Sequence, residues 1–192
     1  MTLNSPLFNI IQKGSFGNSE NRNSILINEI SNIYIVQIAK YKNSTQKTED
    51  IKINGLKLPT TSGQVNSSKE ERILWNGPNN WLYISLLKNP IDILESNLNK
   101  NNFAITDLSH SRTIISLEGI DVKEVLKKGC PFNFNNLKKN NCANSVFNGI
   151  TLTIDVIEDN PNKIYLYVLR SFGESFYHAI TDATLEFGYK IT

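Results

Sequence analysis

The sequence predicts an α+β protein of two similar β-α-β-β-α-β halves, and three observations carry that prediction. The first is the order of elements in the C-terminal half. Residues 112–117 are rich in β-branched side chains and read as a strand. Asp121 stands at the N-cap of a short helix with Val122, Val125 and Leu126 on its apolar face; Gly129 ends it and Pro131 follows. Ile150, Leu152, Ile154 and Val156 alternate with Thr151, Thr153 and Asp155, the period of a half-buried strand. A turn at Asp159-Asn160-Pro161-Asn162 leads into the return strand, residues 164–169. The second observation is a helix with Phe176, Ala179, Ile180, Ala183 and Phe187 along one face. It stops at Gly188 and leaves residues 189–192 for a closing strand. The third is an internal echo. Gly77-Pro78-Asn79-Asn80 before Trp81-Leu82-Tyr83-Ile84-Ser85 matches Asn160-Pro161-Asn162-Lys163 before residues 164–168, about 83 positions on. A helix follows each copy; Pro90 opens the first, with Ile91, Leu94 and Leu98 on its apolar face. This order is the ferredoxin-like unit, one per half.

The first thirty or so residues are rich in Asn, Ser and Gly. Their one apolar patch, Leu7-Phe8-Asn9-Ile10-Ile11, is too short to make a core. The expected organisation is therefore an extended arm over residues 1–30, a first half over 31–104 and a second over 105–192. Residues 42–50 and 59–68 read as loops.

Composition removes several function classes. The chain has 192 residues, 40% of them hydrophobic and 20% charged, ordinary values for a globular protein with a real core. Twenty Lys and Arg oppose 18 Asp and Glu, for a net charge of +2. The basic pairs Lys127-Lys128 and Lys138-Lys139 are surface pairs rather than a nucleic-acid patch. No stretch approaches the roughly 18 to 20 apolar residues of a membrane span. The start, Met-Thr-Leu-Asn-Ser-Pro, has no signal-peptide pattern, so a cytoplasmic location is expected. The 2 cysteines, Cys130 and Cys142, are too few for a disulfide framework or a closed zinc site without histidine.

Several segments, taken in order, resemble the gamma subunit family of heterotetrameric sarcosine oxidases. They are Ile73-Leu74-Trp75-Asn76-Gly77-Pro78-Asn79-Asn80-Trp81-Leu82, Asp107-Leu108-Ser109-His110-Ser111-Arg112-Thr113, Lys128-Gly129-Cys130-Pro131 with Cys142-Ala143, and Tyr167-Val168-Leu169-Arg170-Ser171-Phe172. The start Ser5-Pro6-Leu7 also fits. A more distant resemblance reaches the folate-binding domain of the glycine-cleavage T-protein, through Asp107-Leu108-Ser109-His110 and the turn Glu118-Gly119-Ile120-Asp121. Where that family carries paired carboxylates, this chain has Thr151 and Leu152, with Asp155 out of register. The resemblance implies a non-catalytic gamma subunit within an enzyme that demethylates sarcosine to glycine. In that family the one-carbon unit passes to tetrahydrofolate and hydrogen peroxide is formed. It implies partners in the alpha, beta and delta subunits, chiefly the large alpha subunit. FAD, FMN, NAD, tetrahydrofolate and zinc are expected in those partners and none in this chain. Two alternatives stand beside it: a related complex acting on another N-methyl amine such as N-methylglutamate, and a stand-alone folate-binding, aminomethyltransferase-like protein.

The side chains with chemical potential favour a structural reading. A thiol nucleophile would need Cys130 or Cys142 with His110 or His178 and Asp107 or Asp182, yet no spacing supports such a set. Cys130, between a helix-stopping Gly and a Pro, reads as buried. His178 and Asp182 read as a solvent-facing pair on the last helix. Asp107 and Arg112 read either as an ion pair that pins the loop or as contacts to a partner, with His110 between them. Trp75 and Trp81 read as core or interface anchors, and Arg170 and Phe172 close the last motif at a strand end. No glycine-rich phosphate loop occurs.

Overall fold

The computed structural model describes residues 5–18 and 24–192. The described residues form fourteen strands and three α-helices. The first nine strands are β1 (Gly14–Phe16), β2 (Ile25–Glu29), β3 (Tyr34–Lys40), β4 (Lys52–Ile53), β5 (Leu56–Lys57), β6 (Val65–Ser67), β7 (Glu71–Gly77), β8 (Asn80–Ser85) and β9 (Phe103–Asp107). They are followed by β10 (Arg112–Gly119), β11 (Cys142–Phe147), β12 (Ile150–Asp159), β13 (Asn162–Leu169) and β14 (Tyr189–Ile191). The helices are α1 (Pro90–Asn97), α2 (Val122–Lys127) and α3 (Gly173–Thr184). The described residues fall into two compact units: one of residues 5–18, 24–31, 111–139 and 143–192, the other of residues 32–110 and 140–142.

The first unit is built on a seven-stranded sheet of order β1-β14-β2-β10-β13-β12-β11. Its centre matches the sequence reading. On β12, Leu152, Ile154 and Val156 are buried as their alternation requires, but Asp155, expected on the open face, is fully buried as well. Val122, Val125 and Leu126 of α2, and Phe176 and Ile180 of α3, close the core over them. Three features differ from a plain β-α-β-β-α-β unit. Strand β1 adds at the far edge, antiparallel to β14. Strand β11 precedes β12, and β2 enters between β14 and β10, pairing parallel to β14 and antiparallel to β10.

The N-terminal segment is correspondingly not an arm where it is described. Leu7, Ile25 and Ile27 lie in the core of this unit, and Phe16 stacks on Tyr189 with ring centroids 5.1 Å apart. The apolar patch is too short to make a core alone, but as a contribution to an existing one it buries Leu7 fully. Residues 1–4 and 19–23 of the expected arm lie outside the described residues.

The second unit carries a five-stranded sheet of order β6-β7-β8-β3-β9, with the β4-β5 hairpin beside it. The connection from β3 to β7 contains no α-helix; residues 41–64 make a 3-10 turn and that hairpin instead. Ile51, Ile53 and Leu58 nevertheless supply buried side chains to its core, alongside Val36, Ile38, Tyr83, Leu94 and Phe103. The sequence echo falls on corresponding hairpins, β7-β8 and β12-β13, each followed by a helix. The boundary expected near residue 104 falls after His110, because β9 runs to Asp107 as an edge of this sheet.

Candidate functional site

Two of the segments that carry the family resemblance meet at one end of the β10-β13 pair. Arg112 stands opposite Leu169 in register, and the Arg170 N–H donates to the Ser111 carbonyl at 2.9 Å. Arg112 Nη1 donates to Ser111 Oγ at 3.1 Å and to the Ser111 carbonyl at 3.3 Å. Burial lowers the pKa of this guanidinium, which still stays charged at any physiological pH. From Leu169 the chain makes a 3-10 turn, Arg170–Phe172, into α3. Gly173, at the start of that helix, packs on Thr113: a Cβ there would sit 2.5 Å from Thr113 Oγ1. The turn is thereby held low on the sheet, and Leu169 and Phe172 are left 43% and 47% exposed. The result is an exposed apolar pair flanked by two arginine positions, the composition of a protein-docking surface.

Asp107 closes a turn at the end of β9. It accepts from the Ser109 N–H at 2.8 Å and from Ser109 Oγ at 2.6 Å, while Ser109 Oγ accepts from the Ile35 N–H at 3.1 Å. Burial pushes the Asp107 carboxyl up, but the Ser109 hydrogen bonds and the nearby His110 outweigh it and hold the pKa below its ordinary value. Asp107 and Arg112 take local partners, Ser109 and Ser111, in place of the mutual ion pair that was one of the two readings of the sequence. His110 is exposed.

Trp75 and Trp81 face one another across β7 and β8. Trp81 is buried and its Nε1 donates to the Pro59 carbonyl at 2.7 Å; Trp75 is half-buried. Both thiols are enclosed. Cys142 Sγ lies 3.3 Å from the Trp75 carbonyl, a weak donor contact. Burial pushes the Cys130 thiol up to about 11, against a smaller opposing contact with Ser145, so at pH 8 roughly a thousandth is thiolate. That environment is wrong for a nucleophile. His178 lies 3.9 Å from Glu174, one turn earlier, in place of the Asp182 partner expected from spacing.

The most enclosed carboxylates were not legible as a site. Glu71 on β7 accepts from Tyr83 Oη and from Asn54 Nδ2, the latter at 2.8 Å. Burial, and then the bond to Glu71, push the Tyr83 phenol pKa upward. On β12, Asp155 is fully buried and Tyr167 Oη lies 3.4 Å from its Oδ2. Each pair joins an acid to a tyrosine twelve residues later, diagonally across its hairpin, β7-β8 or β12-β13. The repeated acid-to-tyrosine spacing was the available signal. Thr151 is exposed and Leu152 buried on β12, so neither offers a carboxylate. Among the described residues, no group of three or more His, Cys, Asp or Glu side chains is arranged to hold a metal ion. None of the helices described is long and apolar enough to cross a membrane.

Comparison with known proteins agrees with these segments. The model of the sarcosine oxidase, gamma subunit family matches residues 48–186. A sarcosine oxidase subunit gamma from Corynebacterium sp. (strain U-96) is 34% identical over 80 residues, which is 40% of this chain and 38% of that relative's length. Among solved structures, a chain of the heterotetrameric sarcosine oxidase from Corynebacterium sp. U-96, in complex with pyrrole 2-carboxylate, superposes with a TM-score of 0.85 over 97% of both chains at 21% identity. The glycine cleavage system aminomethyltransferase T from Bartonella henselae superposes with a TM-score of 0.60 at 10% identity, over 83% of this chain and 46% of that one. The strand-dominated fold is that of these proteins, and the chain belongs to the sarcosine oxidase gamma subunit family.

Proposed function

We propose that this chain is a non-catalytic gamma subunit of a heterotetrameric sarcosine oxidase. The observation that carries the reading is the surface at the end of β10 and β13: Leu169 and Phe172 exposed between Arg112 and Arg170, at the point where two family segments converge. A surface of this kind is suited to a partner chain, and the nearby groups lack the arrangement of a nucleophile with its base. By family resemblance, the partners are alpha, beta and delta subunits, chiefly alpha. They would carry FAD, FMN, NAD, tetrahydrofolate and zinc in a cytoplasmic complex. Its reaction would convert sarcosine to glycine, pass the one-carbon unit to tetrahydrofolate and form hydrogen peroxide. The two units read as elaborated ferredoxin-like halves, one with β1, β2 and β11 added and one with β6 added and its first helix replaced by the β4-β5 hairpin.

Co-expression with alpha-, beta- and delta-type subunits from the same genome tests this. The chain should co-purify in one stoichiometric complex that turns over sarcosine. Phe172→Asp should weaken assembly about tenfold or more, since it places a charge in an apolar contact, while any complex that forms keeps the wild-type rate of flavin reduction. A variant complex that assembles normally but reduces flavin slowly would refute the structural role. Turnover of N-methylglutamate in preference to sarcosine would shift the assignment to the sibling complex.

A further inference from the structure

The two edges of the five-stranded sheet are treated differently. At the β6 edge the chain covers its own backbone: the Val65 N–H donates to the Asn140 carbonyl at 2.9 Å, Gln64 bridges Asn141, and the Cys142 N–H donates to the Gly63 carbonyl at 2.8 Å. At the opposite edge, β9 pairs on one side with β3. The Tyr41 N–H donates to the Asn102 carbonyl and the Leu108 N–H to the Ile35 carbonyl, which sets the alternation. Ala104 and Thr106 therefore direct their backbone groups to β3, whereas Phe103, Ile105 and Asp107 direct theirs outward. The Phe103 N–H is taken by the Asn99 carbonyl at the end of α1, at 3.1 Å. The Phe103 carbonyl, both Ile105 groups and the Asp107 N–H remain open among the described residues.

Exposed edges are normally guarded by Lys, Pro or a bulge, because open backbone groups template pairing with another chain. Phe103-Ala104-Ile105-Thr106-Asp107 has no Lys, no Pro and no bulge against β3. Beside it runs a cleft of about 630 Å³, lined by Tyr41, Glu95, Leu98, Lys100, Phe103 and Ile105 among others. With one acid, one base and the Asn99 amide on its walls, the cleft favours an uncharged occupant that can also hydrogen-bond.

We propose that β9 is the docking edge for an extended segment of a partner subunit, which adds as a sixth strand and seats an uncharged side chain in the cleft. Strand addition of this kind draws affinity from main-chain bonds and specificity from alternate side chains. The proposal rests on the subunit reading above. A second copy of this chain fits less well: symmetric pairing about Ile105 would set apolar Phe103 opposite anionic Asp107 twice, once at each end of the strand.

The test uses the complex assembled from co-expressed subunits. Ile105→Pro removes an outward N–H without touching the β3 ladder, and Ile105→Lys installs an edge guard. Each should weaken assembly about tenfold or more, with the far-ultraviolet circular dichroism of the chain unchanged. Residue-resolved hydrogen exchange on the unmodified complex supplies a second readout. The Ile105 and Asp107 amides should exchange as slowly as those of Ala104 and Thr106, on the order of 100-fold slower than open edge amides. Fast exchange at Ile105 within an intact complex, with both Ile105 variants assembling normally, would overturn the docking edge and leave the subunit reading standing. Failure of the unmodified chain to assemble at all would overturn both. Slow Ile105 exchange in a dimer of the chain alone would assign the edge to a second copy and refute the partner segment.

Discussion

At the scale of single residues, the buried polar groups are the sensitive points. Tyr83→Phe leaves the Glu71 carboxylate with Asn54 but without its phenol, in a site where Glu71 is 6% exposed. Removing one partner of a buried carboxylate leaves the desolvation penalty in place, so urea denaturation should show a loss of about 1–3 kcal/mol. The thiols behave differently. Cys130→Ser and Cys142→Ser together should leave turnover of an assembled complex within about threefold, because neither sulfur is a competent nucleophile. Cys130 also gives a signed pH effect. Its folded pKa is raised from 9.0 to about 11, so the folded state holds the proton longer than the unfolded one. Stability from this group is full below pH 9 and is lost as pH rises toward 11. Melting temperatures recorded across that window should fall more steeply for the native chain than for Cys130→Ser.

At the scale of elements, α2 shows how a correct boundary can have an unexpected cause. The helix spans Val122–Lys127 and stops before Gly129, as its apolar spacing and terminal glycine predict. Yet Asp121 makes no side-chain cap bond, and Gly129 is outside the left-handed region. What requires a glycine is space: a Cβ at position 129 would lie 2.8 Å from the Phe147 ring and 2.9 Å from Asn148 Oδ1. Gly129→Ala should therefore cost about 1–3 kcal/mol by overpacking. Adding Phe147→Leu should recover part of that loss relative to Phe147→Leu alone, a coupling measurable in a double-mutant cycle. Gly188 is the contrasting case, with φ +72° and a virtual Cβ 2.4 Å from the Asn18 carbonyl oxygen. There the conformation and the close approach both demand glycine, and no neighbouring truncation should rescue Gly188→Ala.

At the scale of the whole molecule, the exposed apolar positions set the behaviour of the chain outside an assembly. Phe172, Leu169 and the β9 edge remain uncovered in a lone chain, and uncovered apolar surface and open edges promote association. Expressed alone, the chain should be aggregation-prone, colourless, and without oxidase or aminomethyltransferase activity. Its visible spectrum and calorimetric titration with tetrahydrofolate check this; a yellow protein or tight stoichiometric folate binding would count against the non-catalytic reading.

The sequence by itself determined the elements whose pattern is local: β10, α2, the β12-β13 hairpin and α3 follow from periodicity, turn residues and helix stops, which act over a few neighbouring residues. The chain-order segments from Trp75 to Phe172 likewise sufficed to indicate the family. Tertiary structure decided what depends on pairing between distant segments. Ile25-Leu26-Ile27-Asn28-Glu29 is too short to announce its place, and it became an interior strand because only β10 and β14 together satisfy both its edges and bury Ile25 and Ile27. The same holds for Glu71 with Tyr83 and Asp155 with Tyr167. Each pair is ordinary in sequence and becomes a buried unit once two strands bring the side chains onto one diagonal, because cross-strand neighbours are set by register and not by residue type.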